Sequence, residues 1–425
     1  MKEILAKNVV LNVNQLDKFR TIKIQIDFLR PLSKDESTKR RLLANVLSNS
    51  SKKYPSFKAL NDREMELYGA EINAYTRSLL NFNDLGFSVE FADPKFLIGD
   101  KSQIQDNIEV LSEIIFNPNL KNTNEFDDTA FTIEKRNMLS NLDAVGDNKD
   151  LVSVLELFKL VNHNNPDKQI PIFGDATQLD SLDNSALYEY YKDVIKNDMI
   201  LINVVGDVDP TEISKLIRDS LLGQSLKSER TDIKIQLPNF DDLVKSPAEK
   251  LDHESINQSR LSIAYVTEKL DKGFSHLAPQ AMNLIFGGDD QSQLFLQVRE
   301  RNSLAYSVSS SYQATDHLLT VQSGLDAKDI DQAIDLIQKQ IDFMKNGKFT
   351  DSQIEHAKKV LFTRREIGSD SIQHYIMRSI WETIYPKTLL DDKSFRSELN
   401  KLDRNNIQSV AEHMHRIAQY ELIGD

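Results

Sequence analysis

Apolar residues recur along this chain in two rhythms. From Thr21 to Leu29 they alternate, as Ile22, Ile24, Ile26 and Phe28, the period of a half-buried strand. From Ile104 they return every three or four positions, as Ile104, Ile108, Leu111 and Ile115, which predicts an amphipathic helix. Read this way, the first half holds strands near 9–13, 21–29, 71–77, 85–91 and 199–206. Helices are expected near 35–48, 56–67, 102–115, 127–142, 150–161, 184–195 and 210–221. Ser33 and Glu36 have the spacing of a capping box for the first helix.

The same order then returns. The helix from Ile104 is matched by one from Ile330, with Ile330, Ile334, Ile337 and Ile341 on one face. FDDTAFTIEKRNML from Phe126 is matched by FTDSQIEHAKKVL from Phe349, ELYGAEINAYT from Glu66 by RNSLAYSVSSS from Arg301, and ILINVVGD ending at Asp207 by AQYELIGD ending at Asp425. Four matches in one order, with an offset falling from about 234 to 218 residues, indicate a duplication. Strand runs with helix groups between them predict an α+β fold of two duplicated domains, each a mostly antiparallel sheet with helices packed on one side. The expected division is 1–221, a polar linker at 222–250 with little periodicity, and 251–425, whose first strand is read at 260–266.

The chain has no cysteine, which excludes disulfides, thiolate metal sites and cysteine nucleophiles. A net charge of −13 argues against nucleic acid, whose phosphates need a clustered basic surface. No apolar run resembles a signal peptide or a membrane span, so a cytoplasmic location is expected. No phosphate-cradling loop is present, and the paired carboxylates Asp127-Asp128, Asp289-Asp290 and Asp391-Asp392 read as caps or solvated loops.

From Leu284 the chain runs LIFGGDDQSQLFLQVRERNSLAYSVSSSY. Gly287-Gly288 ends one helix and Ser292 opens another, with Leu294, Phe295 and Val298 turned inward. Arg299 falls in that helix's last turn, where the dipole favours a cation. The following strand alternates Tyr306, Val308, Ser310 and Tyr312 on one face with Ala305, Ser307 and Ser309 on the other. The turn between helix and strand is therefore expected to bring a guanidinium and a phenol together.

This run resembles the signature of the pitrilysin/insulinase-type metallopeptidases, which include mitochondrial processing peptidase and small bacterial members. The resemblance rests on Gly287-Gly288, Ser292, Leu294-Phe295, Arg299-Glu300 and Leu304-Ala305-Tyr306, in the family's order and spacing. Ser303 stands where the family usually has glycine. The family unit is also a duplicated α+β domain of this size, a metallohydrolase-like half-clamshell. The resemblance implies that Arg299 and Tyr306 bind a substrate's main chain and steady the developing oxyanion. A phenol and a fixed cation aimed at a scissile carbonyl suit that role.

The resemblance also implies an inverted zincin motif, His-x-x-Glu-His, on the first helix, with a third ligand glutamate from a later helix. Alignment instead places Arg41, Ala44 and Asn45 at the motif and Asn141 at the third ligand. None of the eight histidines has another at ligand spacing around a glutamate. The chain is therefore expected to bind no zinc. By resemblance it looks like the non-catalytic subunit of a heterodimeric peptidase, with zinc in a homologous partner and an unfolded peptide held between them. Alone it would be a monomer or a homodimer. The competing readings are a non-proteolytic peptide-binding or scaffold protein of this fold, and a peptidase with a rearranged metal site.

Overall fold

The structure is a computed structural model; it describes residues 1–79, 81–98, 102–226, 247–267, 275–385 and 389–424. The first repeat supplies strands β1 (Lys2–Ala6), β2 (Val9–Gln15), β3 (Thr21–Pro31), β4 (Glu71–Leu79), β5 (Phe82–Ala92) and β8 (Met199–Gly206). A small ribbon, β6 (Leu120–Asn122) with β7 (Glu125–Phe126), lies apart. Its helices are α1 (Ser37–Leu47), α2 (Phe57–Glu66), α3 (Gln103–Phe116), α4 (Asp128–Asp143), α5 (Lys149–Val161), α6 (Ala176–Ser181), α7 (Asn184–Asn197), α8 (Pro210–Asp219) and α9 (Leu221–Ser225). The second repeat supplies β9 (Ala248–Glu254), β10 (Ser259–Thr267), β11 (Ala305–Gln313), β12 (Leu318–Leu325) and β13 (Met414–Gly424). With them come α10 (Ala278–Phe286), a π-helix (Phe295–Arg301), α11 (Ile330–Lys345), α12 (Asp351–Ser369), α13 (Ile372–Ile384), α14 (Asp392–Lys401) and α15 (Arg404–Glu412).

The duplication is a fact of topology. The first sheet runs β1-β2-β8-β3-β5-β4 and the second β11-β12-β10-β13-β9. Reversing the second list superposes β9, β13, β10, β12 and β11 on β2, β8, β3, β5 and β4. The sense of every pair agrees as well. Among the described residues, only β2–β8 and β13–β9 are parallel, while the remaining ladders are antiparallel. Ile22, Ile24, Ile26 and Phe28 all turn into the first core and are fully buried, as their alternation predicts. The second core is built on Leu261, Ile263, Tyr265, Leu319 and Val321 beneath α10, α11 and α15.

One strand was hidden in the expected linker. The second repeat opens with β9, twelve residues before 260–266. Its sequence, AEKLDHE, is mostly exposed because β9 is an edge strand with one neighbour, so it shows no apolar run. Leu221–Ser225 is helical and Leu222 is buried. The rest of the linker, 227–246, lies outside the described residues, as does Asp425.

The compact units do not follow the sequence halves. One is Met1–Ala144, Ile170–Leu237 and Ser369–Leu389; the other is Val145–Gln169, Pro238–Gly368 and Leu390–Asp425. Each sheet has its helical layer on one face. Its other face receives a single helix from the opposite repeat. In the first unit α13 lays Ile372, Ile376, Ile380 and Ile384 on Val10, Leu29, Phe82, Met199 and Leu201. In the second, α5 lays Leu157 and Val161 on Ala264, Ile417, Ala418 and Tyr420. Both helices are amphipathic at four-residue spacing, a pattern that says how much is buried but not against which sheet.

Polar groups line the α13 side of the first sheet. Asp27 is fully buried and accepts from Gln25 (2.9 Å and 2.8 Å), the Tyr75 hydroxyl (2.8 Å) and Arg77 (2.9 Å). Tyr75, Gly86 and Asp27 are cross-strand neighbours in one row over β4, β5 and β3. The Tyr75 ring crosses the row where Gly86 has no side chain. A Cβ there would lie 2.1 Å from the ring, so only glycine leaves the path open.

Candidate functional site

The helix expected to carry the metal motif forms, but its ends differ from expectation. It begins at Ser37, with Glu36 as an N-cap whose side chain makes no capping bond to a backbone N–H of the helix. The predicted Ser33–Glu36 capping box is absent because Glu36 has stronger partners. It meets Arg40 at 3.4 Å and Arg30 at 3.4 Å, and it accepts a hydrogen bond from the Tyr190 hydroxyl. Arg40 is wholly buried. It donates to the Phe28 carbonyl (2.8 Å) and pairs with the buried Asp198, which also holds Arg30 at 2.7 Å. Burial alone would lower the pKa of both arginines, but Asp198 chiefly outweighs it and holds both firmly protonated. Burial likewise pushes the Tyr190 phenol well above its usual value.

Past this anchor, Arg41, Ala44 and Asn45 occupy positions i, i+3 and i+4 of α1. Ala44 is fully buried, while Arg41 and Asn45 are half-buried. Asn141 is exposed on α4, whose buried residues are Ala130 and Met138. From α4 it is Glu134 that bonds this region, accepting from Asn49 at 3.1 Å, and burial raises its pKa. These residues do not fit zinc. A guanidinium repels a dication, alanine offers no donor and no base, and neutral amides replace charged or imidazole ligands. Among the described residues, no group of three His, Cys, Asp or Glu side chains is placed to hold a metal.

The second repeat treats its motif differently. Gly287 and Gly288 form a turn wedged against neighbours. A Cβ on Gly287 would lie 2.6 Å from Ser310 Oγ, and one on Gly288 2.5 Å from Asn283 Nδ2. The turn is tied down by Ser310 N–H to the Gly287 carbonyl (2.8 Å) and by Ser310 Oγ to Asn283 (2.7 Å). His356, read from the sequence as a helix-surface residue, lies 3.3 Å from Asp289 beside this turn. Phe295–Arg301 is then wound as a π-helix, a rare form that occurs mostly as single turns and frequently at functional sites. It ends at Arg301 with Asn302 as its cap, and Ser303 then adopts a left-handed φ of 51°. Tyr68, the matching position in the first repeat, has φ of 60°. The turn that a glycine usually makes is therefore kept by serine.

Arg299 and Tyr306 are held by different neighbours. Arg299 lies in the last helical turn as expected, with its guanidinium 4.8 Å from the Phe295 ring centre and 3.7 Å from Glu300. Tyr306 was expected on the face of Val308, Ser310 and Tyr312. A β-bulge between Ala305 and Ser307 overturns that. Ala305 pairs with Leu325 and Ser307 with Gly324, leaving Tyr306 without a cross-strand partner. The ring swings outward, 63% exposed, while Val308 and Ser310 stay buried. Its hydroxyl donates to Asp326 at 3.1 Å. The sequence reading missed Asp326; only the pairing of β11 with β12 brings it beside the bulge. Both side chains thus stand on the surface of the second unit, Tyr306 at the start of an edge strand.

Comparison with known proteins bears on the family and the fold. The family model described as Peptidase M16 inactive domain matches residues 181–361. The chain is 31% identical over 350 residues to a probable inactive metalloprotease of Bacillus subtilis, YmfF, covering 82% of this chain and 80% of that protein. It is 24% identical over 307 residues to YmxG of the same organism, described as an uncharacterized zinc protease, covering 71% and 70%. A conserved protein from Enterococcus faecalis has the same fold, with a TM-score of 0.91 and 28% identity over 100% of this chain and 98% of that one. Among the described residues, no helix is long and apolar enough to cross a membrane.

Proposed function

Since the chain belongs to the M16 metallopeptidase family as one of its inactive homologues, we propose that it is the non-catalytic subunit of a heterodimeric zinc endopeptidase. A homologous subunit carries the zinc, and this chain supplies Arg299 and Tyr306 to the bound peptide. The observation that carries the reading is the contrast within one molecule. The metal positions hold Arg41, Ala44, Asn45 and Asn141, while Arg299 and Tyr306 keep their chemistry and stand exposed. A protein with no role in peptide hydrolysis has no need of an outward-turned phenol on a bulged strand. That one bacterium holds both an inactive and a zinc-protease relative of this chain fits a paired arrangement.

In this proposal an unfolded peptide adds as a strand to a free sheet edge. β4 and β11 each have one neighbour among the described strands, so each offers an open edge. The phenol and guanidinium then face main-chain carbonyls, where a donor removed from water is worth most. A cytoplasmic setting belongs to the same proposal. The test mixes the purified chain with the zinc-bearing homologue from its own organism and follows cleavage of an internally quenched peptide. Neither subunit alone should match the mixture, and R299A or Y306F should lower the mixture's rate about a hundredfold. Full activity of the homologue alone, unchanged by this chain, defeats the proposal. The open edges also support a second reading, a peptide-binding scaffold without hydrolysis. A homodimer that captures peptide and no homologue in a pull-down favours that reading.

A further inference from the structure

The surroundings of Tyr306 contain a conflict. A phenol has one proton, and here it is donated to Asp326 Oδ1 at 3.1 Å. The same hydroxyl cannot donate to a peptide carbonyl while that bond stands. The contact is built into the backbone. Leu325, the last residue of β12, pairs with Ala305, and the bulge leaves Tyr306 as the one unpaired residue beside it. Asp326 follows Leu325 directly, so the re-aimed ring reaches its carboxylate. Lys328 lies 3.8 Å from the other carboxylate oxygen, leaving Oδ1 to the phenol.

We propose that Asp326 is a latch on Tyr306: it holds the phenol proton in the unbound chain and must give it up before the phenol can donate to a bound peptide. This rests on the reading of Tyr306 as a donor to substrate. Asp326 is thereby a positioning residue and not a catalytic one, since it acts through the phenol. The electrostatics agree. The hydrogen bond to Asp326 and then its charge raise the Tyr306 pKa, slight burial and Asp329 add to this, and Lys328 opposes it. The phenol therefore keeps its proton and stays a donor through the neutral range. Because the latch lies in water, it weakens binding modestly, about two- to fivefold.

Two measurements test this, and they fail separately. In the isolated full-length chain carrying 3-fluorotyrosine, Y306F identifies the Tyr306 resonance by its loss. In D326N the Tyr306 titration midpoint should fall from its wild-type position. An unchanged midpoint overturns the latch without touching the proposed function. In the mixture with the zinc-bearing homologue, D326A should lower KM for the quenched peptide about two- to fivefold with kcat little changed. That gain should vanish in D326A/Y306F, which should match Y306F. A D326A loss as large as that of Y306F would make Asp326 a support for the phenol and overturn the latch. If Y306F leaves the mixture's activity intact, the proposed function itself falls, whatever the titration shows.

Discussion

Arg40 and Arg299 lie in the two halves of one duplicated plan, and their surroundings are opposite. Arg40 precedes the degenerate metal positions and is fully buried between Asp198, Glu36 and the Phe28 carbonyl. Arg299 precedes the bulged strand and has nearly half of its side chain in water, with Glu300 and the Phe295 ring beside it. One arginine holds a helix in place; the other holds nothing that the fold needs. The difference teaches that an arginine's neighbours, not its place in the repeat, decide whether it serves the fold. The first helix is fixed through the charge pairs of Arg40, which lies outside the expected metal positions Arg41, Ala44 and Asn45.

The comparison breaks most sharply at Arg40. R40A leaves Arg30 as the remaining cation for Asp198 and Glu36, opens a gap beside the buried Asp198, and should lower stability by about 3–5 kcal/mol in urea unfolding. R40A unfolding at the wild-type midpoint would show that the network is ornamental. A smaller loss is expected at Gly86, where an alanine must displace the Tyr75 ring from Asp27. G86A should cost about 1–3 kcal/mol by the same assay, and the cost should shrink when Tyr75 is also replaced by alanine.

Smaller again is a pH effect at Asp84, which is fully buried and bonded to Arg77 at 2.6 Å. Burial first, and then the Asp27 charge, push its carboxyl well above the usual range, with Arg77 pulling the other way. A raised acid binds its proton more tightly folded than unfolded, so stability falls as pH rises from the ordinary carboxylate value through the folded one. D84N removes that slope. Its urea midpoint relative to wild type should therefore improve steadily with rising pH, and a constant difference would refute the assignment. The smallest effect belongs to the exposed pair. R299A and Y306F should shift stability by no more than about 0.5 kcal/mol, although under the proposed function both should impair the mixed peptidase. A large loss of stability in either would erase the contrast with Arg40.

The sequence made some of this legible and hid the rest for identifiable reasons. The duplication could be read because each matched segment carries its own period, as in Ile104–Ile115 and Ile330–Ile341. The motif could be read because its residues are contiguous. The outward turn of Tyr306 could not, since a bulge shifts one residue without altering an alternating pattern. Asp326 was invisible for a related reason: it reaches Tyr306 only through strand pairing, twenty positions along the chain. Arg40 was overlooked because a charged residue on a helix ordinarily faces water, and its burial depends on Asp198, far along the sequence. The strand β9 carried too few apolar residues to announce itself.

The crossed placement of α5 and α13 bears on how this protein came to be and how it is made. Each repeat, synthesised alone, lacks the helix that covers its own sheet and carries one meant for the other. Neither half has a complete apolar interior, so a gene cut between them should give two insoluble fragments, or a functional pair only when both are expressed together. Once the duplication had traded these helices, the halves could no longer be inherited apart.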